Sequence, residues 1–323
     1  MHKDDRIFVA GHRGLVGSAL CRELQRQGFK NLVVRTHSEL DLTDRPAVLD
    51  FFHQEKPQYV FLGAARVGGI LANDTYPADF IRENLEIQTS VIDASYRSGV
   101  QRLLFLGSSC IYPKLASQPI KEESLLTGPL EPTNRAYALA KIAGIEMCWS
   151  YNRQFRTQYL AAMPTNLYGP GDNFDLKGSH VLPALIRKVF EAKRGGAKKL
   201  VVWGTGRPRR EFLYSDDLAE ACVHLLNLPQ GTYESLLTPN EAPLINVGTG
   251  EDLTIRELAQ LVARVLDFDC ELVFDTSRQD GTPQKLLDVS RMRALGWRAK
   301  VSLEEGIRRT FESARSQLEL AVQ

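Results

Sequence analysis

The sequence has few cysteines, and none of them are spaced as a metal-binding or redox pair. The five are odd in number and scattered, with no C-x-x-C spacing (Cys21, Cys110, Cys148, Cys222, Cys270). This usage argues against a disulfide framework and a thiolate zinc site, and it is typical of proteins in a reducing compartment. No signal peptide is recognisable before the first apolar segment, so we expect a cytoplasmic protein.

The sequence also lacks an excess of either charge and any long apolar run. Its 40 Lys and Arg side chains nearly balance 39 Asp and Glu, for a net charge of +1, so electrostatics gives no case for a nucleic-acid or membrane partner. No apolar run approaches the roughly 20 residues that span a bilayer. No H-E-x-x-H pair or carboxylate cluster predicts a metal site. The 43% apolar and 24% charged residues instead predict a globular chain with a full core.

The first half of the chain alternates continuous apolar runs with helical segments. This pattern indicates a parallel sheet that is covered by helices on both faces. The predicted strands are Ile7–Ala10, Leu32–Val34, Tyr59–Leu62, Leu103–Leu106 and Tyr159–Met163. The predicted helices are Leu15–Gln27, Pro46–Phe52 and the segments that follow Pro77 and Tyr137.

Beyond Pro164 the alternation gives way to loops rich in Gly, Pro and Asn. A helix over Val181–Ala192, a strand over Leu200–Trp203 and the segment Thr254–Leu266 predict a smaller mixed lobe. Two further segments, Tyr214–Leu226 and Ile245–Val247, are expected to return to the main sheet. The predicted sheet domain spans 1–165 and is rejoined by about 211–248, and the lobe spans 166–210 and 249–323.

A glycine-rich loop lies between the first predicted strand and the first predicted helix. Gly11, Gly14 and Gly17 permit a tight turn there and let backbone N–H groups approach a pyrophosphate at the helix N-terminus. The spacing is G-x-x-G-x-x-G rather than G-x-G-x-x-G, so a glycine turn without a ligand is the alternative. With the alternation described above, the loop predicts an α/β fold: a Rossmann-type doubly wound parallel sheet with a smaller mixed α/β substrate lobe.

The end of the second predicted strand indicates which dinucleotide binds. An NAD enzyme usually places Asp or Glu there, on the ribose 2′-OH, whereas this chain continues into Arg35, Thr36 and His37. Arg13 adds a second cation in the glycine loop. Cations at this point favour the 2′-phosphate of NADP, although surface arginines without a ligand are the alternative. Asp41, followed by Leu42, is better placed to meet the adenine.

A Tyr and a Lys at helical spacing form the predicted catalytic pair. Tyr137 and Lys141 are four residues apart, so both side chains lie on one face of their helix. A nearby ammonium is expected to lower the phenol pKa, which enables Tyr137 to exchange a proton with a carbonyl or alcohol. Ser108 and Ser109 follow the fourth strand, at the edge where open parallel sheets keep their active sites.

In this order, the glycine loop, the strand-end serines and the Tyr/Lys pair resemble the extended short-chain dehydrogenase/reductases. Within that family, five segments are similar to enzymes that epimerise and reduce GDP-linked 4-keto sugars. The segments are Gly11–Gly14, Ala64–Ile70, Gly107–Lys114, Pro164–Pro170 and Trp203–Gly206. The resemblance covers about Arg6 to about Trp297. It implies a 3,5-epimerase and NADPH-dependent 4-reductase that converts GDP-4-keto-6-deoxy-D-mannose to GDP-L-fucose.

The resemblance also implies site residues. It assigns reduction to Ser108, Tyr137 and Lys141, and epimerisation to Cys110 and His180. The implied NADP site comprises Gly11, His12, Arg13, Gly14, Leu15, Val16, Gly17, Arg35, His37, Asp41, Leu42, Leu106, Gly107, Ser108, Ser109, Tyr137, Lys141, Pro164, Thr165, Asn166, Leu167 and His180. The implied GDP-sugar residues are Lys188, Trp203, Arg210, Asp280 and Lys285. The family can carry arginine at His37 and Lys188, so both positions depart from its pattern.

The chemistry of the reaction supports two of these roles. Protons at C3 and C5, next to a 4-keto group, are acidic enough for one base to remove, and the thiolate of Cys110 can serve if its pKa is lowered. His180 can return a proton to the opposite face. A buried packing role for Cys110 and a capping role for His180 are the alternatives.

Three other functions are the alternatives. A 4,6-dehydratase carries an acidic pair at the strand end, where this chain has Ser108, Ser109 and Cys110. A simple 4-epimerase keeps its NAD bound and needs no cysteine base, and a non-catalytic NADP sensor is expected to lose part of the Ser-Tyr-Lys triad.

We also expect a homodimer, because the helix after Pro77 carries two apolar stripes, Ile81/Leu85/Ile92 and Phe80/Ile87/Val91. Related enzymes pair that helix and the Tyr137 helix across a two-fold axis.

Overall fold

Strands and helices alternate along the chain, and the computed structural model describes them over residues 1–176, 178–278 and 280–320. The strands are β1 (Arg6–Ala10), β2 (Asn31–Val33), β3 (Tyr59–Leu62), β4 (Arg102–Leu106), β5 (Tyr159–Pro164), β6 (Asn166–Tyr168), β7 (Lys199–Trp203), β8 (Arg209–Tyr214), β9 (Leu244–Val247), β10 (Asp252–Thr254), β11 (Glu271–Asp275) and β12 (Gln284–Lys285). The helices are α1 (Leu15–Arg26), α2 (Arg45–Glu55), α3 (Ile70–Thr75), α4 (Pro77–Arg97), α5 (Arg135–Phe155), α6 (Val181–Arg194), α7 (Ser215–Asn227), α8 (Gln230–Glu234), α9 (Ile255–Val265), α10 (Ser290–Ala294) and α11 (Leu303–Leu320).

Six parallel strands form the main sheet in the order β2-β1-β3-β4-β5-β9. Its central strands are buried along their whole length, as expected of parallel strands with helices on both faces. Helices α1 and α7 contribute to the apolar core on one face, and α2, α4 and α5 to the core on the other. The predicted doubly wound parallel sheet is confirmed.

The carboxyl ends of β1, β4 and β5 lie at one edge of this sheet. In the strand register, Ala10 pairs with Leu62, Leu62 with Phe105, and Leu106 with Ala162. The glycine loop, the serines after β4 and the segment after β5 therefore meet there. This edge is where open α/β sheets bind their ligands.

A smaller part of the molecule contains the remaining short strands. Strand β8 pairs antiparallel with β10 and parallel with β6 and β12, while β7 and β11 form a separate parallel pair. A third apolar core joins α6, α9 and α11. Strand β9 pairs with β5, so Ile245 and its neighbours lie in the main sheet as predicted. The two-part division of the chain stays a prediction.

Among the described residues, no helix has the length and apolar character needed to cross a membrane.

Candidate active site

The glycine loop is packed too closely for side chains at two of its positions. Gly11 has a φ of +85°, and a Cβ there would lie 2.9 Å from the backbone of Ala64. A Cβ on Gly17 would lie 2.1 Å from the carbonyl oxygen of Gly11. Gly14 begins α1 without a side-chain cap, and the first turn of the helix carries no acidic residue. The N–H groups at this end of α1 are therefore suited to a phosphate.

The cations near the end of β2 differ in their contacts. Arg35 is held by Glu55, with Nη2 to Oε1 at 2.5 Å, and it also donates to the carbonyl oxygen of Val34 at 2.8 Å. The exposed side chain of His37 lies 3.8 Å from Asp41, and Asp41 accepts hydrogen bonds from Thr43. Of the two predicted arginines, exposed Arg13 is the more available to a ligand.

The segment after β4 turns sharply into a short 3-10 helix, Ser109–Ile111. The Ser108 hydroxyl accepts a hydrogen bond from the Cys110 backbone N–H at 3.4 Å. Cys110 is only 7% exposed, and this burial raises the pKa of its thiol, while the positive charge of Lys285 opposes the shift. The predicted thiolate role of Cys110 was conditional on a lowered pKa, and the structure gives the opposite net direction because desolvation outweighs the nearby cations.

Helix α5 brings Tyr137 and Lys141 to the same edge. The buried Lys141 ammonium donates to the carbonyl oxygen of Leu106 at 2.8 Å and lies 5.7 Å from the centre of the Tyr137 ring. Burial lowers the pKa of Lys141 to about 8 and raises the pKa of the Tyr137 phenol. The expected lowering of the Tyr137 pKa is therefore not found, because desolvation exceeds the effect of a charge at that distance.

The residues after β5 are fixed by backbone contacts. The Thr165 N–H donates to the carbonyl oxygen of Val247 at 3.1 Å. The side chains of Thr165 and Asn166 both donate to the carbonyl oxygen of Glu211, at 3.2 and 2.8 Å. These hydrogen bonds hold the segment that begins at Pro164 against the strand of Val247 and the strand of Glu211.

His180 begins helix α6 and does not cap it with its side chain. The residue keeps a solvent-exposed surface. Surrounding protein lowers its pKa by desolvation, and the positive charge of Lys285 lowers it further. The positive charge of Lys285 acts to lower the pKa of both Cys110 and His180. The two residues predicted for epimerisation therefore share one cationic neighbour.

Two cations lie near the indole of Trp203. Its ring is 46% exposed, with the Lys188 ammonium 4.5 Å and the Arg278 guanidinium 4.9 Å from the ring. Lys188 also donates to the carbonyl oxygen of Val201 at 3.1 Å. A flat apolar surface flanked by positive charge suits a nucleotide diphosphate.

Two more predicted substrate residues, Asp280 and Lys285, lie beside a third, Arg210. Asp280 accepts from the backbone N–H and hydroxyl of Thr205, at 2.9 and 2.6 Å, and its charge acts on Arg210. Lys285 occupies β12 and pairs with Arg210 in the strand register. Desolvation lowers the pKa of both Arg210 and Lys285, as expected for cations held in a cleft for an anion.

Three residues at the site were missed by sequence reasoning. Arg278 packs on Trp203, and Glu131 pairs with Lys114 at 3.0 Å and acts on Arg210 and Lys285. The fully buried Glu211 accepts N–H bonds from Thr249, Gly250 and Leu287 at 2.6, 2.8 and 2.9 Å. No motif or spacing in the sequence marks any of these three.

Comparison with known proteins agrees with this geometry. Residues 7–236 match the NAD dependent epimerase/dehydratase family. A putative GDP-L-fucose synthase 2 of Arabidopsis thaliana is 58% identical, covering 97% of this chain and 92% of its own length. The GDP-L-fucose synthase of Escherichia coli K12 is 54% identical, covering 95% of each. A solved GDP-L-fucose synthetase from Naegleria fowleri bound to NADP aligns with a TM-score of 0.86 at 29% identity, covering 100% and 96%. The chain therefore belongs to the NAD dependent epimerase/dehydratase family.

Proposed function

We propose that this chain is a bifunctional 3,5-epimerase and NADPH-dependent 4-reductase that converts GDP-4-keto-6-deoxy-D-mannose to GDP-L-fucose. The observation that carries the proposal is the position of Cys110, which follows Ser108 by two residues at the end of β4, within the electrostatic reach of Lys141 and Lys285. Reduction alone needs only the Ser-Tyr-Lys triad. A buried thiol near two cations supplies a base as well, which is what epimerisation requires. The relatives named GDP-L-fucose synthase, at 54% and 58% identity over almost the whole chain, support the same reaction.

The glycine loop fits NADP. The spaces at Gly11 and Gly17 are closed to a Cβ, and the uncapped N-terminus of α1 suits the pyrophosphate. Arg13 and Arg35 are assigned to the 2′-phosphate, and Asp41 and Leu42 to the adenosine. Leu106 to Ser109 and Pro164 to Leu167 are assigned to the nicotinamide half. When bound, NADPH supplies the hydride for reduction at C4.

Reduction requires a proton for the oxygen at C4, and we assign Tyr137 as its donor. A raised phenol pKa keeps Tyr137 protonated at neutral pH, which suits an acid. The Ser108 hydroxyl is assigned to hold the sugar oxygen. The Lys141 ammonium donates to the Leu106 carbonyl oxygen, and we assign its positive charge to stabilise the phenolate that develops on Tyr137.

Epimerisation requires a base on one face of the sugar and an acid on the other. We assign Cys110 as the base, stabilised as a thiolate by Lys285 and Lys141, and His180 as the acid. The solvent exposure of His180 lets it regain a proton from water after each step. Trp203, Lys188, Arg210, Asp280 and Lys285 are assigned to the GDP-sugar, with Lys188 acting as a point charge rather than a fork.

Two variants separate the reduction from the epimerisation. Tyr137→Phe is expected to abolish NADPH oxidation while C3 and C5 protons still exchange with deuterated water. Cys110→Ser is expected to stop that exchange, because a serine hydroxyl does not supply an anionic base near neutrality. Mass spectrometry of the recovered sugar and absorbance of the nicotinamide measure both. Unchanged deuterium uptake in Cys110→Ser would return Cys110 to a packing role.

The homodimer is proposed on the outer surfaces of α4 and α5. Phe80, Val91 and Ile92 are buried within the chain, whereas Ile81 and Leu85 stay partly exposed and Leu139 is 39% exposed. Light scattering at micromolar concentration should give twice the 36.2 kDa chain mass. Leu139→Glu should lower that mass, and the same change at 82%-exposed Leu115, outside these helices, should not. A monomer mass for the unmodified chain would contradict the proposal.

A cytoplasmic location is proposed as well. Each of the five cysteines is a free thiol, which supports a reducing compartment. Fractionation of cells producing the chain, followed by immunodetection, tests this location.

A further inference from the structure

A small cavity lies beside Cys110. It has a volume of about 10 Å³, and its lining includes Cys110, Lys114, Glu131, Thr282 and Lys285. A volume of about this size holds one water molecule when polar groups surround it. The thiol predicted to act as the base is therefore next to a space that suits one water and is lined by charged side chains.

The carboxylate of Glu131 connects this cavity with solvent. One oxygen, Oε2, accepts from Lys114 Nζ at 3.0 Å and from Thr282 Oγ1 at 3.4 Å. The other, Oε1, has a long contact of 3.5 Å with Thr133 Oγ1, and the backbone N–H of Thr133 also donates to this carboxylate. The Glu131 side chain is 15% exposed. One oxygen thus keeps capacity to accept a hydrogen bond, and the group reaches both the cavity and bulk water.

The other polar side chains of the lining are neutral or cationic. The Tyr112 hydroxyl donates to Asn246 Oδ1 at 2.6 Å, and the Gln284 amide donates to Asp252 at 2.7 Å. The ammonium groups of Lys114 and Lys285 have no lone pair to offer. Glu131 is therefore the anionic acceptor among the described residues that line the cavity.

Two epimerisations in one cleft create a need for such a group. Removing the proton at the first carbon converts the Cys110 thiolate to a thiol, and the second carbon cannot react until that proton has left. Cys110 is buried, so the proton needs a path. We propose that Glu131, acting through one water in this cavity, carries the proton from Cys110 to solvent between the two epimerisations. This inference rests on the proposed function.

The steps balance without any change of oxidation state. The C–H bond of the sugar breaks, its proton forms an S–H bond on Cys110, and its electron pair enters the enolate. His180 gives a proton to the opposite face and regains one from water. The S–H proton then passes to the cavity water, which gives one of its own protons to Glu131 Oε1. Glu131 releases that proton to bulk water. A carboxylate is a weaker base than a thiolate, so Glu131 holds the proton only transiently.

Glu131→Gln tests the proposal, with Lys114→Met as its matched control. Both variants break the Glu131–Lys114 ion pair, but only the first removes the proton carrier. In deuterated water with GDP-4-keto-6-deoxymannose, Glu131→Gln should slow exchange at C3 and C5 by about ten- to a hundredfold and release sugar epimerised at one carbon. Lys114→Met should keep most of the exchange and give the doubly epimerised product.

A second measurement separates proton transfer from a structural role. Exchange in Glu131→Gln should rise with the concentration of formate at constant pH, and Glu131→Asp should restore most of it. A structural role predicts no response to formate. Equal losses in Glu131→Gln and Lys114→Met, or no formate response, would overturn the relay. Absence of exchange in the unmodified enzyme would instead overturn the proposed function.

Discussion

Gly17→Ala tests the geometry of the glycine loop by adding a single methyl group. The added Cβ would lie 2.1 Å from the carbonyl oxygen of Gly11 and 2.8 Å from His12 Cα, whereas ordinary contact begins at 3.4 Å. The clash is with backbone, so no side chain can rotate away. Gly11 is itself confined, because its φ is +85° and its own Cβ position lies 2.9 Å from Ala64. The loop must therefore move by about an ångström.

The size of the effect follows from that displacement. Overpacking of this kind costs about 1–3 kcal/mol of folding free energy. A displacement of about 1 Å in a positioned site costs about a hundredfold in function. We expect Gly17→Ala to weaken NADPH binding by about ten- to a hundredfold and to lower the free energy of unfolding by about 1–3 kcal/mol.

Calorimetric titration with NADPH and urea denaturation measure the two effects. Gly14→Ala is the control for folding, because its Cβ would meet nothing closer than the Gly11 carbonyl oxygen at 3.5 Å and its φ of −76° suits any residue. Its free energy of unfolding should stay within about 0.5 kcal/mol of the parent value. The reasoning fails if Gly17→Ala binds NADPH and unfolds as the parent does.

Two further predictions concern charge. Burial raises the pKa of Asp172 to about 7, so the folded state holds a proton that the unfolded chain releases, and stability falls as pH rises from about 4 to about 7. The stability advantage of Asp172→Asn should therefore grow by about 2 kcal/mol between about pH 5.5 and about pH 8.5, measured by urea denaturation; a constant difference would refute the shift. Arg13→Ala should shrink the kcat/KM preference for NADPH over NADH by about tenfold or more, and equal efficiencies in the parent would refute the assigned NADP preference.

The sequence predicted the main sheet because its strands are strongly patterned. Four continuous buried residues from Tyr59 to Leu62 leave little alternative to a central parallel strand. The Gly11–Gly17 loop is equally distinctive, because a glycine-rich loop between a strand and a helix is typical of a pyrophosphate-binding turn. Most predicted boundaries agree with the observed ones within about two residues.

The smaller part of the molecule was predicted less completely. Strands such as β10 and β12 have three and two residues and little apolar character, so they have no period to recognise. These strands form because each of them pairs with β8, which lies elsewhere in the sequence. Glu211 accepts three backbone N–H bonds from Thr249, Gly250 and Leu287, and these contacts join segments far apart in the chain. No local pattern encodes such a group.

The electrostatics of the site also depended on the fold. Sequence spacing placed Lys141 beside Tyr137 correctly, but it could not show that the ammonium is bound to the Leu106 carbonyl oxygen. Nor could it show that Arg35 is held by Glu55. Both results depend on distances between segments, and a spacing argument contains no such distances.

Burial in this cleft raises the pKa of both Tyr137 and Cys110, yet the two assigned roles need opposite protonation states. A proton donor benefits from the shift and a base is hindered by it. Lys285 and Lys141 both oppose the upward shift of the Cys110 pKa, which limits the conflict without removing it. A negative charge on Cys110 in turn favours protonated Tyr137 and charged Lys141. The thiolate that we propose as the base would therefore also keep the proposed donor Tyr137 protonated, so one arrangement of charge would serve both proposed reactions in sequence.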